Sequence, residues 1–224
     1  MTPGGERWPV IVAAVLTFGT GALDVLTLMH LGGVFASVMT GNLALMGLGV
    51  ARTDGSALIH TAVAVLSYVI GVAVGSRITG VRQADHPAWP PRVTVALGVQ
   101  FIVLCALAVG WVVTGANPAG GVQIALLAAA AGGMGMQSAA MRGLGAAVAT
   151  TYLTGTLTSL IEGWMGAPKR RSDSAGVASL VAAVVGAACG GLLLLTAPVV
   201  TPMLTLVPLA AVLAVAVYRR RSAP

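Results

Sequence analysis

Charge is what this chain lacks. Only 8% of its residues are charged, against roughly 25% in a soluble globular domain. A water-facing surface cannot be made from so few charges, so lipid must solvate most of the chain. No charged residue occurs between Arg92 and Arg142, nor between Asp173 and Arg219. Each of these runs is about twice the ~20 residues that one membrane-crossing helix needs. Aromatics are also scarce, at 4%. The two cysteines, Cys105 and Cys189, both sit inside apolar runs and read as small buried apolar thiols, with a membrane-embedded disulfide as the alternative. Catalytic signatures are missing as well. There is no HExxH, no GxSxG, no P-loop with its lysine, no Cys/His metal spacing and no pair of carboxylates close in sequence. Neither an enzyme nor a cofactor is expected. The net charge of +6 is not a nucleic-acid signal, because the basic residues sit in short loops where membrane topology requires them.

What is present is apolar: 57% of the residues, with 30 glycines. Strong spanning helices are expected at about 8–29, 57–79, 93–115, 120–141, 175–197 and 199–218. The turn signals TGANPAGG (114–121) and TAPVVTP (196–202) divide the long uncharged runs. The N-terminal stretch could be read as a signal peptide, but Asp24 interrupts it and no small-x-small cleavage site follows, so it is taken as a retained first helix. Two further segments, 31–51 and 145–166, are long enough to span but rich in Gly, Ser and Thr. Eight full crossings would set Arg77, Arg82 and Arg92 opposite Lys169, Arg170, Arg171 and Arg219–Arg221, against the positive-inside bias. If the two polar segments instead enter and leave on one side, all of these fall on one face with Arg7 and Arg142, and only Arg52 falls on the other. The expected fold is therefore an all-α integral membrane protein of about six transmembrane helices plus two broken or re-entrant segments, with both termini cytoplasmic.

The chain also repeats itself. VFASVMTGNLALMGLG around Thr40 is matched by VATTYLTGTLTSLIEG around Thr154, 114 positions later. At that offset Gly19 faces Gly133, Gly21 faces Gly135 and Leu43 faces Leu157; Gly71 and Gly75 face Gly186 and Gly190 at an offset one larger. Residues 1–116 and 117–224 thus read as two halves of one membrane domain, each with three crossings and one break, at Thr40-Gly41-Asn42 and at Thr154-Gly155. Halves with an odd number of crossings must insert upside-down to one another, which makes the repeat inverted. The two GxxxG pairs are candidate helix-packing faces, within the chain or in a homodimer.

Asp24 is the sharpest chemical feature. A carboxylate inside a membrane helix costs roughly 2.5–3.5 kcal/mol on insertion scales, so it needs a partner or a role. One reading is a proton or cation site; the other is an acid near the outer helix end that caps the broken segment or hydrogen-bonds Thr27 or Asn42. Thr40, Gly41 and Asn42, with Thr154, Gly155 and Thr156, could open half-helix N-termini inside the membrane and face a polar or anionic solute, or could simply be small packing residues. Gln137 and Ser138, the counterparts of Leu23 and Asp24, could continue that pathway or form an interhelical hydrogen bond. Arg142 reads as a cytoplasmic anchor or a substrate clamp. Trp8, Trp89, Trp111 and Trp164 lie at expected helix ends, as belt residues do.

GALDVLTLMHLGGVFASVMTGNLALMGLGVA and GMGMQSAAMRGLGAAVATTYLTGTLTSL resemble the paired signatures of the YoaK family of small bacterial integral membrane proteins, a domain-of-unknown-function family. Where that family usually has G-x-Q-N-A, this chain reads Gly135-Met136-Gln137-Ser138-Ala139, with Ser for Asn. The resemblance covers nearly the whole chain and implies the bacterial inner (cytoplasmic) membrane. It implies no substrate. The functions left open are a transporter or exporter of a small polar or anionic solute, proton-coupled through Asp24; a passive channel; and a non-transporting scaffold or partner protein. Single cysteines at positions 54, 85 and 172 in a background lacking Cys105 and Cys189 test the topology: an impermeant thiol reagent added outside should label the first and spare the other two.

Overall fold

The computed structural model describes residues 8–80, 89–143, 155, 157, 158, 161, 165 and 172–221. Among these it contains seven α-helices and no strand: α1 (Trp8–His30), α2 (Met39–Arg52), α3 (Gly55–Thr79), α4 (Pro91–Val113), α5 (Gly120–Gly143), α6 (Ser172–Thr196) and α7 (Met203–Arg221). Six of them, all but α2, belong to segments long and apolar enough to cross a bilayer. The expected spans are recovered to within a few residues. The last one differs most, because Pro198–Val200 form a 3-10 turn and α7 starts only after Pro202. Local chemistry sets the other ends. Asp54 caps α3 by accepting from the Ala57 N–H at 3.1 Å, and Pro91 opens α4 where its missing N–H costs nothing.

The first break does not fall where the sequence suggested. Thr40 and Gly41 already belong to the first turn of α2. The helical path stops earlier, over 31–38, where Gly32 and Gly33 take φ of +94° and +73°. Only glycine adopts such angles without strain. Gly32 also lies under the His60 ring, which a Cβ would strike. Asn42, buried, closes the bend: its Oδ1 accepts from the Phe35 N–H at 2.9 Å and its amide donates to the Phe35 carbonyl at 2.7 Å. The second expected break, at Thr154-Gly155, lies mostly outside the described residues. Gly155 itself is helical and exposed, with open space where a Cβ would stand, while Thr154 and Thr156 are not described.

α2 has 14 residues, about 21 Å of helix, short of the ~30 Å hydrocarbon core. It packs on α3 and its C-terminal end hands over to α3 through Asp54. The six long helices alternate in direction. Trp8 stacks near Trp89 (5.9 Å) and under Arg219 (4.8 Å), and Gly143 approaches Thr79 and Val93. One end of the bundle therefore holds the start of α1 and α4 and the finish of α3, α5 and α7. The opposite end gathers His30, His60, Trp111, Gln123 and Pro198. Arg77, Arg92, Arg142 and Arg219–Arg221 are at the first end and Arg52 at the second.

Two helix pairs carry the packing: α1 against α6 and α3 against α5. Both are backbone-to-backbone crossings made in the same way. A Cβ on Gly21 would strike the Ala183 carbonyl and come to 3.1 Å from the Ala187 nitrogen; one on Gly135 would strike the Tyr68 carbonyl and come to 2.8 Å from the Val72 nitrogen. Gly186 abuts the Phe18 carbonyl as Gly71 abuts that of Gly132. Gly75 and Gly190 meet Met136 and Ala22 in turn. The GxxxG faces are thus used within the chain. Cys105 and Cys189 are free thiols. Since the obstacles are backbone atoms, side-chain repacking cannot relieve them. Gly21→Ala and Gly135→Ala should each destabilise the protein in detergent by about 1–3 kcal/mol, whereas Gly47→Ala and Gly98→Ala, which meet nothing, should not; thermal unfolding followed by circular dichroism measures the difference.

Candidate functional site

α1 carries a polar stripe, Thr17, Thr20, Asp24 and Thr27, at helical spacing on one side. Thr17 and Thr27 spend their hydroxyls on their own helix, bonding the carbonyls of Ala13 (2.7 Å) and Asp24 (3.0 Å). Thr20 likewise donates to the Leu16 carbonyl (3.0 Å) but also accepts from another helix, and Asp24 reaches outward to the bend. Asp24 lies four turns from the start of α1 and six residues before its end, about 9 Å below that end.

Both carboxylate oxygens of Asp24 are occupied by one residue. The Ser37 N–H donates to Oδ1 at 2.8 Å and the Ser37 hydroxyl to Oδ2 at 2.6 Å. The bend over 31–38 therefore folds back along α1 to reach the acid. The carboxylate thus caps the broken segment, as one reading of the sequence had it, but through Ser37 and not through the side chains of Thr27 or Asn42. His30 does not take that role either; it meets Trp111 edge-on at 5.4 Å.

One turn from Asp24, a buried amide chain joins three helices. The Gln137 amide on α5 donates to Thr20 Oγ1 at 2.9 Å, and the Gln100 amide on α4 donates to Gln137 Oε1 at 2.8 Å. Gln100 is fully buried, and its own Oε1 has no partner. An unsatisfied buried acceptor costs about 1–3 kcal/mol. The next residue on α5, Ser138, turns the other way and accepts from the Tyr68 hydroxyl of α3 at 2.8 Å. Beside that pair is a cavity of about 220 Å³ bounded by Tyr68, Val69, Val72, Ser138, Ala139 and Arg142. A second cavity, of about 150 Å³, lies at the opposite end of the bundle between the bend, α2 and α3, with Arg52 and Asp54 on its wall.

Of the residues singled out in the sequence, Asp24, Gln137 and Ser138 thus lie on the interior faces of α1 and α5. Asn42 is spent on the bend, and Thr40 is exposed. Sequence reasoning missed Gln100, Tyr68 and Gln123. Gln100 had a legible signal, as the one amide in an otherwise apolar α4. Gln123 bridges the His30 carbonyl (2.8 Å) and His60 Nε2 (3.4 Å), closing the end opposite the arginines. Trp111 is no lipid-facing belt residue: it is 0% exposed and donates to the Pro198 carbonyl at 2.8 Å. Among the described residues no three His, Cys, Asp or Glu side chains converge as metal ligands would.

The comparisons with known proteins agree with this architecture. Residues 12–218 match the family described as "Protein of unknown function (DUF1275)". The chain is 31% identical over 163 residues to the UPF0700 transmembrane protein YoaK of Bacillus subtilis (strain 168), covering 72% of this chain and 69% of that one. No solved structure matches. With most of its length inside the family model and a transmembrane relative at this identity, the chain belongs to the DUF1275 family and is a membrane protein.

Proposed function

We propose that this protein is a small secondary transporter of a polar or anionic solute, built as an inverted repeat and proton-coupled through Asp24. The observation that carries the reading is the polar line inside a lipid-solvated bundle: Asp24 held by Ser37, and one turn away Thr20, Gln137 and Gln100 bonded across α1, α5 and α4, ending in an unpartnered acceptor. An ionisable group at membrane depth is expensive and marks a solute or ion pathway by default; the interhelical amides beside it can also serve packing, but the unpartnered Gln100 acceptor adds nothing to packing.

The inverted repeat is supported by direction as well as by sequence. Exchanging α1 with α5, α3 with α6 and α4 with α7 turns each main helix contact into another one, including the equivalent glycine crossings. Every helix exchanged runs opposite to its counterpart. Residues 31–52 act, on this reading, as a re-entrant hairpin: the bend goes in beside α1 as far as Asp24, and α2 returns to the end it left. Clustering of arginines at one end favours that end as cytoplasmic, with both termini there.

Asp24 is suited to coupling because its bonds depend on its proton. As a carboxylate it accepts from both donors of Ser37. As an acid it holds a proton on one oxygen and can no longer accept equally at both. Protonation therefore loosens the bend from α1, and deprotonation draws it back. In proteoliposomes carrying an internal pH dye, Asp24→Asn should abolish proton uptake driven by any solute that the wild type moves, with folding retained and solute exchange at equal pH preserved. Ser37→Ala should slow both processes about 2–10-fold, the effect of one lost hydrogen bond. Proton uptake by Asp24→Asn at the wild-type rate would remove Asp24 from the coupling. Solute flux in the wild type that ignores the proton gradient would favour the passive channel.

A further inference from the structure

The cavity beside α3 and α5 has a composition that neither the coupling acid nor the amide chain explains. One wall is apolar, from Val69, Val72 and Ala139. The other is polar: the Tyr68 hydroxyl, bonded to Ser138 Oγ at 2.8 Å, and the side chain of Arg142. Along α5, Arg142 is one turn nearer the arginine-rich end than Ser138, a rise of about 6 Å. Arg142 makes a contact elsewhere in the chain too. Its guanidinium carries five N–H donors, enough for an internal partner and a ligand together, and a serine hydroxyl that accepts one bond can donate another. Among the described lining residues, donors therefore dominate the polar wall and the one formal charge is positive. The volume, about 220 Å³, is below the roughly 300–1,000 Å³ of drug-sized ligand sites.

We propose that this cleft binds a small amphipathic monocarboxylate, its carboxylate on Arg142 and the Ser138 hydroxyl and its short alkyl chain against Val69, Val72 and Ala139. A planar guanidinium matches a carboxylate in two parallel bonds. The apolar wall rewards an alkyl tail, which a fully polar anion such as phosphate does not have. An amine is repelled by Arg142, and an alcohol of equal length forfeits the charge-assisted bonds. Ser138 is the counterpart of Asp24 at the 114-residue offset between the halves. The inference rests on the transport reading in taking Ser138 to lie on the solute's path.

Binding to the full-length protein in neutral detergent, measured by titration calorimetry, tests it. Butyrate and valerate should bind at least tenfold more tightly than butanol or butylamine. Arg142→Gln should weaken butyrate about 10–100-fold, as loss of hydrogen bonds to a charged group does, with Arg142→Lys intermediate. Tyr68→Phe should weaken it about 2–10-fold. Val69→Phe, at a position 56% exposed and so harmless to folding, should exclude valerate more than acetate. If Arg142→Gln does not fold, the valerate-to-acetate ratio in Val69→Phe decides. Equal affinity for butyrate and butanol overturns the inference, as does binding unchanged by both Arg142→Gln and Val69→Phe, or binding of phosphatidylglycerol vesicles alone. Carboxylate binding without proton-driven carboxylate uptake would leave the cleft standing and count against the transporter. Proton-driven uptake of some other solute, with no carboxylate bound, would do the reverse.

Discussion

Close approach of helix backbones is the constraint on which this fold depends. Lipid tails are as apolar as leucine, so burying apolar side chains gives helices in a bilayer little reason to associate. Contact has to be gained from dispersion at short range, and that requires positions with no side chain in the way. Gly21 and Gly186 supply them where α1 meets α6, and Gly71 and Gly135 where α3 meets α5, with carbonyl oxygens standing where a Cβ would be. These crossings also interlock the two halves of the sequence. The first helix of each half packs on the second helix of the other, so neither half has a packed core of its own. Once they are fixed, α4 and α7 can only lie alongside α5 and α1, where they complete the bundle.

The polar groups follow from the same solvent. Inside lipid a bond once lost to water must be replaced within the protein. The bend over 31–38 can leave helical geometry only because Asn42 takes up both polar groups of Phe35 and Asp24 takes up the N–H of Ser37. The acid is thus both a partner to the bend and a titratable group, and structure and chemistry are joined in one side chain. The amide chain is different in kind. It holds no bend; it joins α1, α5 and α4 and leaves the Gln100 Oε1 acceptor unsatisfied.

How much of this could be read from the residues differs by level. The six long helices were legible because hydrophobic length is a one-dimensional property: uncharged runs, cut at TGANPAGG and TAPVVTP, leave little freedom. The glycine pairs were legible as packing faces, but not their partners, since a GxxxG says that a backbone will come close and not which one. The position of the first break was misread. TGN attracts attention because it is polar and repeated, whereas the turn is made by Gly32-Gly33, whose left-handed φ values leave no trace in composition. Likewise Trp111 looked like an interfacial anchor from its place at a helix end, and only the approach of Pro198 from 87 residues away turns it into a buried one. Asp24 was visible because a charge in lipid is conspicuous. Its pairing with Ser37 was not, for a serine beside a break gives no sign of which group it will bond. The second break expected at Thr154-Gly155 falls mostly outside the described residues.

The departure from symmetry is as informative as the symmetry. At equivalent places the first half carries Leu23-Asp24 and the second Gln137-Ser138. Asp24 turns to the bend of its own half, while Ser138 turns to Tyr68 of the other. Had both places held acids, the bilayer core would contain two carboxylates, each costing roughly 2.5–3.5 kcal/mol to insert and each raising the cost of ionising the other. With one acid and one hydroxyl, only Asp24 of the two positions can change charge: its carboxylate is matched to the N–H and hydroxyl of Ser37, whereas Ser138 accepts from Tyr68 and stays neutral. On the transport reading proposed above, that difference would confine proton coupling to the first half.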